Sequence, residues 1–352
     1  MQSIPKLIAY PKSGIAYCEE LYRTTAELGV EAVAGEWAGR WIFARLKRGD
    51  VVHVHWPSFL YYRSGARLAT FFYLIRFFAL INMIRLRGGR IFWTAHNLYP
   101  HDGGRSRWSH RAARRFITRV AEVIFVHGAT AAALVASEFG VGPERIQQVA
   151  HGHWRSLYTE APPKQLARHA LGLPADVTLY GFVGSCRPYK GLESILAALP
   201  HLDESCHLLI AGEFASPQYL RSVQELVPES MAHRVHIVPR FLKSDEIMTH
   251  IGALDALVLS YREILTSGAV MLGLSAGVPV VAPNLGGIGD VVNERCGVLY
   301  DPHSTRGLAD AMREIRKRPY SAEQIVAHAL SFDWKIPAAA LINAMTRASR
   351  PS

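Results

Sequence analysis

The chain has 352 residues, 49% hydrophobic and 19% charged, which excludes a disordered polypeptide and exceeds what one ordinary core organises, so two domains of about 150–200 residues are expected. Its 39 basic residues outnumber 29 acidic ones, for a net charge of +10, which suits an anionic partner: nucleic acid, a phospholipid surface or a phosphorylated substrate. No zinc-finger, RNP or basic-zipper pattern supports nucleic acid; Cys18, Cys186, Cys206 and Cys296 lack metal-ligand spacing, and the first residues lack the pattern of a signal peptide, so reduced thiols on the cytosolic side of the membrane are expected.

In chain order, residues 6–10, 51–55, 90–95 and 122–127 read as buried strands, separated by helical patterns such as 17–28 and 129–139. Two strand ends carry polar and aromatic residues: His53-Val54-His55-Trp56-Pro57, and Trp93 through His96, Asn97, His101 and Asp102. Between them, residues 68–84 are apolar nearly all round, with Arg63, Arg67, Arg85, Arg87 and Arg90 flanking and Arg76 inside. As a helix this run reaches about 25 Å, short of the roughly 30 Å hydrocarbon core, which argues against a transmembrane span. A core helix is one reading. The Phe-rich face and arginine collar favour the other, an interfacial helix that attaches residues 63–90 to an anionic membrane.

The polar stretch 159–164, with Pro162-Pro163, reads as a linker. Beyond it, strands at 179–184, 207–211, 235–239, 256–260 and 278–282 repeat the alternation with helices that implies parallel sheets covered on both faces. Gly184-Ser185-Cys186-Arg187-Pro188-Tyr189-Lys190-Gly191 follows the first of these strands and precedes a helix. Such a turn can set two cations, Arg187 and Lys190, on one diphosphate. Thr266-Ser267-Gly268 reads either as a second phosphate cradle or as an ordinary helix start. Glu213 ends another strand, and Arg240 with Phe241 lies where a nucleotide base would be gripped.

The combination of Gly184, Arg187, Lys190-Gly191, Ala211-Gly212-Glu213, Glu263 and the run from Ala276 to Ala282 resembles the donor domain of group 1 glycosyltransferases, over roughly residues 178–300. That family places two glutamates before its Ala-Gly-Val-Pro turn. Here the second position is Leu272, which cannot accept a ribose hydrogen bond, and Glu263 sits one residue out of register. With the N-terminal segments, the chain is similar to the bacterial exopolysaccharide beta-mannosyltransferases of the xanthan-pathway type. The resemblance implies an α/β fold of the GT-B class, two Rossmann-like domains facing a cleft. It divides the chain into an acceptor-binding, membrane-associating domain at 1–160, a nucleotide-sugar domain at 161–335, and a final helix at 336–352 packing back on the first domain.

It further implies inverting transfer of mannose from GDP-mannose to a polyprenyl-diphosphate-linked oligosaccharide, by a peripheral protein on the cytoplasmic face of the inner membrane. Such a transfer needs a base for the acceptor hydroxyl, and Asp102 or His96 can serve, with His101 orienting Asp102. Each also has a plain reading, a turn aspartate and a structurally satisfied imidazole. Acceptor contacts are assigned to Tyr17, His55, Trp56, Asn97 and His101; donor contacts to Gly184, Arg187, Lys190, Glu213, Arg240, Phe241, Glu263, Thr266, Ser267 and Gly268. His151-Gly152-His153 either meets donor phosphate or turns the chain. No cofactor or metal is expected, since cations can neutralise the diphosphate. A retaining enzyme using a UDP- or GDP-sugar, and a non-catalytic sugar-nucleotide sensor on the membrane, are the alternatives.

Overall fold

The computed structural model describes residues 5–101 and 107–347, which form two compact units, 1–152 with 333–352 and 153–332. Unit one is built on β1 (Leu7–Tyr10), β2 (Ala32–Ala34), β3 (Val51–Val54), β4 (Arg90–Thr94), β5 (Val123–His127) and β6 (Ile146–Val149). Every pairing is parallel, in the order β2-β1-β3-β4-β5-β6. Unit two repeats the plan with β7 (Thr178–Val183), β8 (Cys206–Ala211), β9 (Val235–Val238), β10 (Ala256–Val258), β11 (Val280–Pro283) and β12 (Gly297–Tyr300). Its order is β12-β11-β10-β7-β8-β9, again all parallel.

Parallel strands need a crossover between neighbours, and the covering helices bury both faces of the sheet, so strands such as Leu7–Tyr10 and Cys206–Ala211 are buried along their whole length. The strand order does more for function than the composition does. In unit one the direction of winding reverses between β1 and β3, and in unit two between β7 and β10. Ligands of open α/β sheets bind beyond the carboxyl ends of the strands at such switch points.

The apolar segment forms the helix Arg67–Leu86, 20 residues, long enough by length and composition to cross a membrane. Yet Thr70, Leu74, Phe77, Leu80, Ile81 and Ile84 are buried in unit one at helical spacing, so one face belongs to the core. Leu68, Phe71, Phe72 and Ile75 stay exposed. Arg90 leaves the expected cationic collar. It is 7% exposed, pairs with Glu122 at 2.6 Å and donates to the carbonyls of Ala344 and Met345 at 2.9 and 2.6 Å. Those carbonyls close the helix Lys335–Thr346, whose last turn would otherwise lack donors. That helix packs on Ala16–Glu27 and β6 within unit one. The stretch 159–164, expected as the linker, lies inside unit two, where Ala161 and Pro162 pack over Gly252 and a Cβ on that glycine would lie 2.8 Å from the Pro162 carbonyl oxygen.

Candidate functional site

In unit two the loops after β7, β8 and β10 are laced together at the switch point. The amide of Gly184 donates to Ala211 O at 2.9 Å, that of Cys186 to Glu213 O at 2.7 Å, and Ala215 N returns to Cys186 O at 2.9 Å. Gly212, at φ +148°, passes so near the β7 loop that a Cβ there would sit 1.8 Å from Gly184 O; Gly191, at φ +67°, would bring one within 2.2 Å of Ser260 O. Only glycine permits both the torsion and the approach. Ser260 then clamps the turn, its hydroxyl donating to the carbonyls of Lys190 and Gly191 at 2.9 and 2.7 Å.

Lys190 is held inside this lacing, 9% exposed. Its Nζ donates to Ser185 Oγ at 3.3 Å and lies 5.3 Å from the centre of the Phe182 ring. No carboxylate among the described residues pairs with it. Burial pulls its ammonium down to about 8, with Cys186 partly opposing the fall and the Arg187 charge reinforcing it. Arg187 is exposed beside it. A buried cation without an anion is costly unless a ligand supplies the charge.

The other donor candidates divide. Ser267 caps the helix Gly268–Ser275, accepting from Val270 N at 3.2 Å, and bonds Tyr261 Oη at 2.9 Å; the plain helix-start reading accounts for its oxygen. Thr266 and Gly268 are half-buried beside it, and Gly268 O accepts from Trp154 Nε1 at 2.8 Å. Glu263 and Glu213 are exposed in the loops that follow β10 and β8. Arg240 is committed to Glu246 at 2.6 Å, while Phe241 beside it is 72% exposed. Sequence reasoning missed Ser260 and Gly286-Gly287. Gly287 N donates to Leu265 O at 2.8 Å, a long-range contact that no local pattern signals. A cavity of about 590 Å³ also exists in unit two, but Thr178, Asp255 and Ala256 place it at the opposite edge of the sheet. There Lys164 and Arg168 already pair with Asp255, each at 2.7 Å.

In unit one the carboxyl edge of the sheet carries five buried histidines: His53 in β3, His55 just after it, His96 after β4, His127 ending β5, and His151 after β6. Tyr17, in the first turn of the helix after β1, stands among them, its ring 4.6 to 5.6 Å from those of His55, His96, His127 and His151. Trp334 closes one side, 5.1 Å from Tyr17, and Trp56 stacks on His96 at 4.1 Å and 10°. Burial drives every one of these imidazoles toward its neutral form: His53 and His127 fall to about 3 and His151 to about 4. His55 and His96 are also held well below the ordinary value, first by burial and then by neighbouring imidazoles. Both ring nitrogens of His127 are buried without a hydrogen-bonding partner; the backbone of Val149 and Ala150 passes close enough to favour charge slightly, without hydrogen-bond geometry.

Of the acceptor candidates, Tyr17 and His55 are buried within this cluster, at 5% and 1% exposure; Trp56, half-buried, stacks on it, and Asn97 and His101 are half-buried in the segment after β4. Asp102 lies outside the described residues. His127 and Tyr22 escaped the sequence reading; the signal available was a histidine at or just after the end of four successive strands. Among the described residues no group of three or more His, Cys, Asp or Glu side chains is arranged to hold a metal.

Residues 178–318 match the family model described as glycosyl transferases group 1. Two proteins of Xanthomonas campestris pv. campestris, each named GDP-mannose:glycolipid 4-beta-D-mannosyltransferase, are 28% identical to the chain. One aligns over 242 residues, 68% of the chain and 63% of the relative; the other over 282 residues, 78% of the chain and 74% of the relative. Among solved structures, sucrose-phosphate synthase from Thermosynechococcus elongatus matches with a TM-score of 0.73 at 16% identity, over 97% of the chain and 98% of that structure. The match to group 1 glycosyltransferases thus falls within the second unit, and the architecture is GT-B.

Proposed function

We propose that this glycosyltransferase moves mannose from GDP-mannose, with inversion, to a polyprenyl-diphosphate-linked oligosaccharide at the cytoplasmic surface of the inner membrane, in exopolysaccharide synthesis. The observation that carries the reading is Lys190: a buried ammonium with no carboxylate partner among the described residues, beside exposed Arg187, at the switch point of the unit that matches group 1 glycosyltransferases. That site answers a leaving diphosphate. The names of the two Xanthomonas relatives support guanine as the donor base and mannose as the sugar. A β-linked product from an α-linked donor requires inversion.

In the proposed step the acceptor oxygen attacks the anomeric carbon from the face opposite the diphosphate. The carbon–oxygen bond to phosphate breaks, its electron pair leaves with GDP, and Lys190 and Arg187 meet the growing negative charge. The acceptor proton passes to His96, whose neutral imidazole is free to accept it; Asp102 is the other candidate. Glu263 contacts the transferred sugar, and Trp56, Asn97 and His101 contact the acceptor.

Membrane attachment is assigned to the exposed face of Arg67–Leu86. Leu68, Phe71, Phe72 and Ile75 are joined there by Trp108, whose ring lies 6.3 Å from Phe71, with Arg67, Arg76 and Arg85 exposed along the same helix. Apolar rings for the acyl boundary and guanidinium groups for anionic headgroups suit a helix lying in the interface.

One assay tests the whole reading. Vesicles of anionic phospholipid carrying a polyprenyl-diphosphate oligosaccharide should sediment the chain, and addition of GDP-mannose should release GDP and give a product that NMR shows to be the β-mannoside. An α product would overturn inversion, and release of a nucleoside diphosphate from no GDP- or UDP-sugar would overturn the enzyme assignment. Failure of neutral and anionic vesicles alike to sediment the chain would remove the membrane role.

A further inference from the structure

The buried histidines of unit one are not merely packed together: four side chains join His96 in one unbroken line of hydrogen bonds. Thr94 Oγ1 meets His53 Nε2 at 2.8 Å, and His53 Nδ1 meets Tyr22 Oη at 3.0 Å. Tyr22 Oη meets His55 Nε2 at 2.7 Å, and His55 Nδ1 meets His96 Nε2 at 3.0 Å. Both ring nitrogens of His53 and His55 are thereby used. His96 uses only Nε2, and its Nδ1 has no hydrogen-bonding partner among the described residues. The line begins inside the sheet and ends on the imidazole that stacks on Trp56.

Proton counting limits what such a line can do. Each imidazole is neutral in this buried setting and carries one N–H, and Tyr22, buried, keeps its single phenolic proton. Tyr22 can donate to His55 or to His53, never to both. Only two complete orders of protons exist. In one, Thr94 donates to His53 Nε2, His53 Nδ1 to Tyr22, Tyr22 to His55 Nε2 and His55 Nδ1 to His96 Nε2; His96 then bears its proton on Nδ1. In the other every bond is reversed: His96 Nε2–H donates to His55, His55 Nε2–H to Tyr22, Tyr22 to His53 Nδ1, and His53 Nε2–H to the Thr94 oxygen. His96 Nδ1 is then a bare lone pair.

We propose that Tyr22, His53, His55 and Thr94 are positioning residues that hold His96 in this second order, making Nδ1 the atom that takes the acceptor proton. The inference rests on the reading of His96 as the base. The logic is that of an imidazole whose tautomer is fixed by a partner on its far nitrogen, extended here through three further side chains. When Nδ1 accepts the acceptor's proton, His96 becomes cationic, and its Nε2–H bond to His55 Nδ1 shortens the loss of solvation by spreading the charge into the line. Tyr17, His127 and His151 also face His96, and none of them carries a compensating negative charge.

The test is the tautomer itself, read by long-range proton–nitrogen correlation NMR on the full chain labelled with 15N-histidine. Wild-type protein should show His96 as the Nε2–H form alone. Tyr22→Phe, which cuts the line at its centre, should give a mixture of both forms and lower kcat by roughly tenfold, a fraction of the 10²–10⁴ a positioned base supplies, with KM for the donor unchanged. If Tyr22→Phe does not fold, Thr94→Val removes the terminal acceptor with the same expectation, and Thr94→Ser should restore the single tautomer. An Nδ1–H form in the wild type, or a single unchanged tautomer in both interrupted variants, would overturn the proposal. His96→Gln separates the two ideas: retained turnover would remove His96 as the base and leave the NMR result to judge the line alone.

Discussion

Replacing Lys190 by alanine is expected to lower kcat/KM for sugar transfer by about 10²–10³ while the chain stays folded. The reasons lie in the environment of the side chain. Its ammonium is buried and, among the described residues, bonds only the Ser185 hydroxyl and has no carboxylate to leave stranded. Removing half of a buried ion pair is destabilising because the other half remains; removing a lone buried cation relieves a desolvation cost instead. Lys190→Met, which keeps the apolar packing on Phe182, should therefore melt no lower than the wild type while remaining as inactive as the alanine variant. A pH dependence follows. With its ammonium near 8, the lysine is charged below that value and neutral above it, so KM for the donor should rise as pH climbs through 8. Donor KM flat from pH 7 to 9 would show that Lys190 is not the group meeting the diphosphate.

Acid should unfold unit one far more readily than its size suggests. His53 and His127 titrate near 3 and His151 near 4 in the folded chain, against about 6.5 when unfolded. Between those values the unfolded chain binds more protons than the folded one, so stability is complete above about pH 7 and is lost as pH falls through 6.5. At pH 5.5 each such histidine costs about 1.4 kcal/mol, or ~4 kcal/mol for the three, a large share of a typical domain's 5–15 kcal/mol. His55 and His96 act in the same direction. Urea unfolding followed by tryptophan fluorescence isolates the effect, because Trp37, Trp41, Trp56, Trp93, Trp108 and Trp334 lie in unit one and only Trp154 lies in unit two. The midpoint should drop steeply between pH 7.5 and 5.5. A midpoint that holds steady across that range would mean the imidazoles are solvated or already charged.

Much of this architecture can be read directly from the residues, and the remainder fails for identifiable reasons. Buried parallel strands announce themselves as apolar runs, so β1, β3, β4, β5 and β7 to β11 are legible to within a residue or two. Three strands are not. Ala32–Ala34 is three residues long, Ile146–Val149 contains Gln147-Gln148 at an edge, and Gly297–Tyr300 is a half-buried edge strand; edges lack the two-sided burial that writes a hydrophobic run. The glycine turn from Gly184 to Gly191 was visible because it follows a strand, whereas its lacing to Gly212 and Ser260 depends on strand order, which local sequence does not encode. The same holds for the histidines. His55, His96 and His151 stand out singly, but their union with His53, His127 and Tyr22 requires β3, β4, β5 and β6 to lie side by side. The helix Arg67–Leu86 was ambiguous because both its faces are apolar, one for the core and one exposed.

Calorimetric titration of GDP into the wild-type chain, Arg187→Ala and Lys190→Ala shows whether the cations of the β7 turn hold the donor's pyrophosphate. Binding to the wild type should be saturable and should weaken by roughly tenfold or more in each variant, as expected for loss of a charge-assisted hydrogen bond. Equal affinity in all three would contradict it.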